Sequence, residues 1–577
     1  MTAPATPHLA DDDRGRAHYD AGVPHTLAPY PERTLLDFLD DAVRETPDAV
    51  ALWFKGRTIS WRALDAAANE CAAAFEAAGI GRGDRIALVL PNCPQFLIAE
   101  IGAWKAGAVV CPLNPTYTED ELAKNLLMLE PRIVVTLSAF YERVQAARTG
   151  TTVERVISTG IKEYFPPLLK FAFTLLMEKK LGHCAVIRAG DATWGDWLAP
   201  HRGRRPACAP PGPQDGAMIL LSGGTTGTPK GVPAWHHALV ITGIQFRAWL
   251  SPTMTMGVDS ILLPLPLFHS YGACVVQTAC VVCRFPLALV PNPRDLDDLV
   301  KSIAQFKPTM FAGVPTLYNA LLNHRHVKSG KVAFNSMKVC ASGSAPLMEE
   351  TKRRFEHATG GHITEAYALT ESLIAATANP LKGLQKLGSV GIPLPDVHVR
   401  IVDVDDAEKR LPAGAVGEIL LRGPQVMRGY FNNPTETAGM IVRHADGHTW
   451  CHTADLGYLD DDGYLFIVDR KKDLIKASGM QVWPRELEEA IAKHPAVAEV
   501  GVRGFADAAK GEIAVAFVVL RHGMQATEHD IREFCKQHLA FFKVPARVVF
   551  RSELAKTMIG KVLRRELKLE PSEQQPH

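Results

Sequence analysis

Two stretches of this chain run from strand to helix and back to strand, and that pattern restricts the fold more than any other feature. In "RIALVLPNCPQFLIAEIGAWKAGAVVCPLNP" (85–115) an apolar run stops at Pro and Asn, a longer apolar segment follows, and a second short run closes the unit. Short apolar runs bounded by Pro and Gly read as buried strands and the longer one as a helix, which makes a βαβ unit. "MKVCASGSAPLMEETKRRFEHATGGHITEAYALTE" (337–371) repeats the pattern, with a Ser/Gly loop ahead of a helix from about Pro346. Parallel strands joined by helices predict an α/β fold with doubly wound sheets, which bind ligands at the C-terminal ends of their strands. "SGGTTGTPKG" (222–231) and "ASGSAP" (341–346) fall at such ends.

At 577 residues the chain exceeds what one hydrophobic core supports, so two or more domains follow. Beyond about residue 400 the texture changes to short strands and turns such as "GEILLRG" and "GYLFIVDR". A smaller α+β unit then begins, its first helix opening at Pro484 and its second with the capping pair Thr527 and Asp530. The boundary falls in "DRKKD" (469–473). We therefore divide the chain into a disordered N-terminus (1–30), a large domain (31–469), a connecting segment (470–473), a small domain (474–569) and a disordered tail (570–577).

A formal net charge of +1 argues against a nucleic-acid partner. The start "MTAPATPHLADDDRGR" lacks the basic and apolar regions of a secretory signal, which points to a cytoplasmic protein. The 11 cysteines are scattered, and Cys280 and Cys283 have no second pair to complete a zinc site. "ACVVQTACVVCRFPLALV" (273–290), broken by Arg284 and Pro286, is too short to span a bilayer and reads as two buried strands or a core helix. In "IKEYFPPLLKFAFTLLMEKK" (161–180) a proline pair precedes an apolar helix carrying lysines at 170, 179 and 180. That make-up fits a helix lying on a membrane surface, at the inner membrane face, or a buried amphipathic helix.

"LSGGTTGTPKG" (221–231) holds four glycines, four hydroxyl side chains and one lysine. Glycines let backbone amides approach an anion, hydroxyls add donors and lysine adds charge, so a polyphosphate is the natural guest. The spacing is not that of a Walker loop. The same letters also suit a plain flexible hairpin.

At this point the chain resembles the adenylate-forming superfamily: acyl-CoA synthetases, peptide-synthetase adenylation domains and beetle luciferases. The resemblance covers about residues 30 to 567, with six motifs in the family's order: "SGGTTGTPKG", "PLFHSYG", "EAYALTE", "HTADLG", "DRKKDLIKASG" and "KTMIGKVLRREL". It implies a large N-terminal domain with doubly wound sheets and a small barrel-like part, followed by a small mobile α+β domain. It also implies ATP, Mg2+ and coenzyme A as cofactors. The chemistry is transfer of a carboxylate to AMP followed by attack of a thiol, a reaction dominated by positioning and charge stabilisation.

The resemblance assigns roles residue by residue. Ser222, Gly223, Gly224, Thr225, Thr226, Gly227, Thr228 and Lys230 would cradle the phosphates, and Glu371 with Thr226 would hold Mg2+. Tyr367 would stack on adenine in a slot lined by Gly343, Ser344, Ala345, Glu365, Ala366 and Thr370. Asp455 and Arg470 would bind the ribose. Lys561 would bridge the substrate carboxylate and the α-phosphate. Lys472 would be the pivot of the small domain, and Gly479 would leave room for the pantetheine arm. Ala368 and Ala454 stand where the family commonly has glycine, and "AKT" replaces the usual proline-lysine-threonine before Lys561.

His269 would border the acyl pocket, and the small apolar run Ala273–Val276 suits an alkyl channel without an aromatic gate. Between Ser260 and Arg294 there is no Asp or Glu, which disfavours an amino-acid substrate with its ammonium group. A fatty-acid–coenzyme A ligase is the first reading. An acyl-AMP ligase loading a carrier protein and an aryl-acid ligase are the alternatives. The fatty acid and coenzyme A are then the partners, and a homodimer is compatible with the sequence.

Overall fold

The strand–helix–strand unit at 85–115 folds as its pattern predicts. Arg85–Val89 and Val109–Pro112 pair in parallel, Ile86 opposite Val110, with the helix Pro94–Lys105 crossing between them. Gly102 lets that helix lie against the helix Trp61–Ala77, since a Cβ there would come within 2.8 Å of the Cys71 Cβ. The second unit, Val339–Ser342, Glu349–Thr359 and Ile363–Tyr367, also closes in parallel, with Ser342 opposite Glu365. The structure is a computed structural model that describes residues 11–222, 229–332, 334–343, 347, 349–477, 480–507, 511–556 and 562–570.

Among the described residues these units belong to two large sheets. A seven-stranded sheet has Gly216–Ser222 beside Val109–Pro112, with Lys230–Trp235 as an antiparallel edge. A nine-stranded sheet runs in parallel through Ile363–Tyr367, Val339–Ser342, Met310–Gly313, Ile261–Leu263, Leu287–Leu289 and Val50–Phe54, with antiparallel strands at both edges. One apolar cluster joins them, with Phe54 and Phe311 from one sheet, Leu88 and Val135 from the other, and Phe75, Phe96 and Leu239 from helices. A second cluster, including Val89, Val134, Leu126 and Tyr141, covers the other face of the seven-stranded sheet, so that sheet is wound on both sides. Burial of this size supplies the main stabilising term.

The expected barrel-like part is a five-stranded antiparallel sheet built around the long strand Thr449–Leu459, which pairs with Gly417–Arg422, Ile441–Arg443 and Leu465–Arg470. Register shifts at Glu418/Leu420 and at Leu456/Gly457 curl it, as bulges do. The C-terminal unit packs Pro484–Ala492 and Glu528–His538 against a five-stranded sheet. Pro484 occupies the first turn as expected, and Thr527 and Asp530 cap each other reciprocally.

Two expectations change. Residues 11–30, read as disordered, are tied to the large domain from Asp11 on. Asp20 accepts hydrogen bonds from the backbone of Leu381, Lys382 and Gly383 (2.7, 3.1 and 2.6 Å), Tyr19 donates to the Pro393 carbonyl (2.6 Å) and Tyr30 to Asp396 (2.8 Å). A carboxylate cupped by three successive amides is a tertiary feature that polar composition hides. The apolar run 273–290 is one buried helix followed by a strand, and its first part, Tyr271–Gln277, is π-helical. Tail residues 571–577 lie outside the described residues.

Candidate active site

The strands carrying the motifs end side by side. Gly343 follows Val339–Ser342, Tyr367 ends the neighbouring strand, and the segment after Ile261–Leu263 leads to His269 two strands away in the same sheet. Asn92 fixes that segment from the seven-stranded sheet, donating to the carbonyls of Leu263 (3.1 Å) and Leu265 (2.8 Å) and accepting from the Leu267 amide (2.8 Å). The "PLFHSYG" and "EAYALTE" motifs then touch, with Ser270 Oγ 2.9 Å from Thr370 Oγ1. A Cβ at Gly343 would lie 3.3 Å from the Tyr271 ring and 3.6 Å from the Ala366 carbonyl, so a larger residue would crowd the Tyr271 ring. Ser344 and Ala345 lie outside the described residues.

Tyr367 does not stand alone as a stacking ring. Its hydroxyl donates to Asp455 Oδ2 (2.7 Å), and burial together with that carboxylate pushes its pKa well above the ordinary phenol value. Arg470 faces the other oxygen, Nε to Oδ1 at 3.1 Å, because Asp455 and Arg470 are directly opposed in the antiparallel ladder. A carboxylate has about four acceptor positions. Among the described residues two are taken here, by Tyr367 and Arg470. Ala454, where the family favours glycine, is held at φ 55°, the left-handed conformation that glycine adopts without strain. Ala368 has no positive φ. Beneath this turn the buried Glu418 accepts from the Ala454 amide (3.3 Å) and from Lys471 Nζ (3.0 Å), and lies 3.5 Å from His452. Burial works against its charge, yet His452 and Lys471 hold its pKa below the usual value.

Glu365, in the strand before Tyr367, is pushed up to about 7 by burial, with Lys352 and Arg485 pulling the other way. Glu371 is buried in the single turn Thr370–Ser372, where Oε1 accepts the Tyr430 hydroxyl (2.8 Å) and the backbone carbonyl accepts the Met427 amide (2.9 Å).

The glycine loop is carried on a hairpin, as its letters allowed. Ser222 and Lys230 oppose each other across the two strands. Gly223, Gly224, Thr225, Thr226, Gly227 and Thr228 lie outside the described residues. At the loop's foot the buried Ser222 hydroxyl has no partner among the described residues. Lys230 pairs with Glu436 and lies 5.1 Å over the Tyr430 ring. Tyr430 and Glu436 thus link the loop to Glu371. Sequence reading passed them over, although "YFNNPTET" holds the signal: Asn433 caps a helix with Pro434 in its first turn and Glu436 in its N-terminal charge.

His269 is a neutral imidazole, its pKa lowered to about 4 by burial. The Tyr271 amide donates to Nδ1 (3.2 Å), which leaves the ring proton on Nε2. The π-helical turn that follows has no room for a larger residue at Gly272, where a Cβ would approach the Pro266 carbonyl oxygen to 2.4 Å. Such single-turn π segments recur at functional sites.

Past Arg470 the chain makes one short turn, Lys471–Asp473, and enters the C-terminal sheet at Ile475–Ala477. Lys472 is exposed on this turn. Asp469, nearly fully buried, binds both sides: it accepts from the Arg485 amide (2.8 Å) and from Arg564 (2.6 Å). Arg564 also pairs with Glu488 through two bonds (3.1 and 2.8 Å) and with Asp473 (3.2 Å). Lys561 and Gly479 lie outside the described residues. Arg564, three positions beyond Lys561 in sequence, is latched to Asp469, Asp473 and Glu488.

Comparison with known proteins agrees with this geometry. Residues 39–431 match the AMP-binding enzyme family and residues 486–561 its C-terminal domain. The chain is similar to a long-chain-fatty-acid–CoA ligase of Bacillus subtilis (strain 168), 36% identical, covering 96% of this chain and 98% of that protein. It is also similar to a ligase of the same description from Escherichia coli O6:H1, 33% identical over 95% and 97% of the two chains. Among solved structures it resembles ATP-bound MatB from Rhodopseudomonas palustris, with a TM-score of 0.80, 30% identity, and coverage of 92% and 97%. The two family models together match most of the chain in order, and the chain belongs to the AMP-binding enzyme family.

Proposed function

We propose that this protein is a fatty-acid–coenzyme A ligase that forms acyl-AMP from ATP and a fatty acid and passes the acyl group to coenzyme A. The observation that carries the reading is the direct contact between acyl and nucleotide motifs, Ser270 to Thr370 at 2.9 Å. It brings a carboxylate entering past His269 to the nucleotide slot. The relatives described as long-chain-fatty-acid–CoA ligases over nearly the whole chain support the same substrate class.

Within this reading the residues divide the work. Asp455 offers its remaining lone pairs to the ribose hydroxyls, while Tyr367 and Arg470 hold it in place. Gly343 and Ala366 leave the flat slot for adenine. The hairpin loop 223–228 with Ser222 and Lys230 receives the phosphates, and Lys561 neutralises charge where the carboxylate meets the α-phosphate. Glu371 and Thr226 are the residues that would hold Mg2+, and a hard cation there offsets phosphate charge. The pivot lies at Lys472 within 470–473, and turning there would exchange Lys561 for the loop around Gly479.

Peripheral membrane contact is part of the proposal. The helix Pro167–Leu176 has no buried residue, and Leu168, Phe171, Leu175 and Leu176 are 86, 67, 67 and 72% exposed. With Lys170, Lys179 and Lys180 alongside, it presents apolar and cationic groups together, which suits the surface of an anionic bilayer. No described helix is long and apolar enough to cross a membrane. Sedimentation with phosphatidylglycerol vesicles should pellet the protein at low salt, and Phe171→Glu with Leu175→Glu should leave it in the supernatant.

A pyrophosphate-release screen tests the main reading. Unbranched acids of graded length should release pyrophosphate and, with coenzyme A, yield thioesters. Release with aromatic acids alone, or thioester formation only on a carrier protein, would replace it.

A further inference from the structure

On the reading above, the helix that follows "PLFHSYG" would form a wall of the acyl region, and with the helix Pro94–Lys105 it holds a polar pair that the reaction scheme does not use. Glu100, in the middle of the helix Pro94–Lys105, and Gln277, the last residue of the π-helical turn, are 0 and 2% exposed. Gln277 Nε2 donates to Glu100 Oε2. The two remaining oxygens, Glu100 Oε1 and Gln277 Oε1, are buried without a partner. Their surroundings are apolar: Leu97, Ile101, Ala273, Cys274 and Val276 are all buried. Gln277 lies eight residues beyond His269, at the far end of the π-helical turn Tyr271–Gln277.

The absence of acidic residues between Ser260 and Arg294 thus does not leave this wall free of carboxyl groups, because the tertiary fold supplies one from another element. Its position and state do not suit an α-ammonium. It sits far along the wall from His269, and burial raises its pKa to about 8, which leaves it neutral at pH 7. A neutral carboxyl with its proton on Oε1 is a donor, and the amide oxygen beside it is an acceptor. A hydroxyl group, which accepts one hydrogen bond and gives one, satisfies both at once. A methylene satisfies neither, and an unsatisfied buried polar group is costly.

We propose that Glu100 and Gln277 form a specificity site that reads a hydroxyl group carried part-way along the alkyl chain of the acid. The proposal rests on the reading of the chain as a fatty-acid ligase. It is tested by pyrophosphate release, with coenzyme A present, on saturated acids of one length bearing a hydroxyl at successive positions, set against the unsubstituted acid. Wild type should favour at least one mid-chain hydroxy acid over the unsubstituted acid by about tenfold or more in kcat/KM. Glu100→Leu and Gln277→Leu should each cut that ratio about tenfold or more and raise turnover of the unsubstituted acid, while Glu100→Gln, which keeps a donor, should retain part of it. If wild type prefers the unsubstituted acid at every hydroxyl position, or if the variants lose activity evenly across the series, the pair is packing only and the proposal fails. Release from no acid of any kind would instead overturn the ligase reading on which it stands.

Discussion

The turn around Ala454 and the helix Pro94–Lys105, which the proposed function places on the ribose and acyl sides, each bury a carboxylate, and they treat it in opposite ways. Glu418, 4% exposed, sits between Lys471 and His452, and these partners outweigh burial and lower its pKa. Glu100, 0% exposed, has only an amide beside it, and burial raises its pKa to about 8. Depth is nearly the same in the two places. The cation decides whether a buried acid keeps its charge. The turn around Ala454 thus holds its acid among cations, and the helix Pro94–Lys105 holds its acid among hydrocarbon with one amide beside it.

The strongest way to break the polar side is to remove the cation that the proposed function assigns to the α-phosphate. Lys561→Ala should lower acyl-adenylate formation by about 10³-fold or more, while thiolysis of supplied acyl-adenylate changes only a few-fold. A rapid-quench assay of each half-reaction reads this, and equal losses would contradict the division of labour. Next in size, Asp455→Asn removes the anion opposite Arg470 and puts a donor beside Tyr367. KM for ATP should rise about 10- to 100-fold, with a smaller change in kcat.

The acyl wall is sharpened through pH. Because Glu100 stays protonated in the fold while its ordinary pKa is 4.5, the unfolded chain loses its proton first as pH rises. The contribution to stability is present below pH 4.5 and is lost progressively towards pH 8, with no further loss above. Between pH 5 and pH 8 the melting temperature of wild type should fall about 2–4 °C more than that of Glu100→Gln. Parallel curves would show that the carboxyl is ionised in the fold. The smallest effect belongs to Ala454→Gly. It relieves a left-handed alanine at φ 55°, and should stabilise the protein by about 0.5–1 kcal/mol, read by denaturant melts.

Local pattern carried much of the fold. Both βαβ units, the helix opening at Pro484 and the Thr527–Asp530 cap depend on periodicity and on backbone groups within a few residues of one another, so they were readable in order. The π-helical start of 271–283 was not, because a wider turn there is set by the close approach of Gly272 to Pro266 and by packing against other elements. Within the segment read as disordered, residues 11–30 proved ordered for a similar reason, since Asp20 finds its donors more than 360 residues away, while residues 1–10 lie outside the described residues. Motif residues were legible as types. Their partners, Tyr430, Glu436, Glu418 and Lys471, were not, because pairing across strands and between motifs leaves no spacing to read.

By itself the sequence determined the parallel α/β architecture, the order of the motifs and the chemistry their side chains offer, because strand and helix periods and residue types are local properties. Only the tertiary structure decided which of those groups face a partner. It set Asp455 against Arg470 and Tyr367, latched Arg564 to Asp469, and left Glu100 and Gln277 each with an unmet oxygen, because charge state and hydrogen-bond supply depend on neighbours that the chain brings together only when it folds.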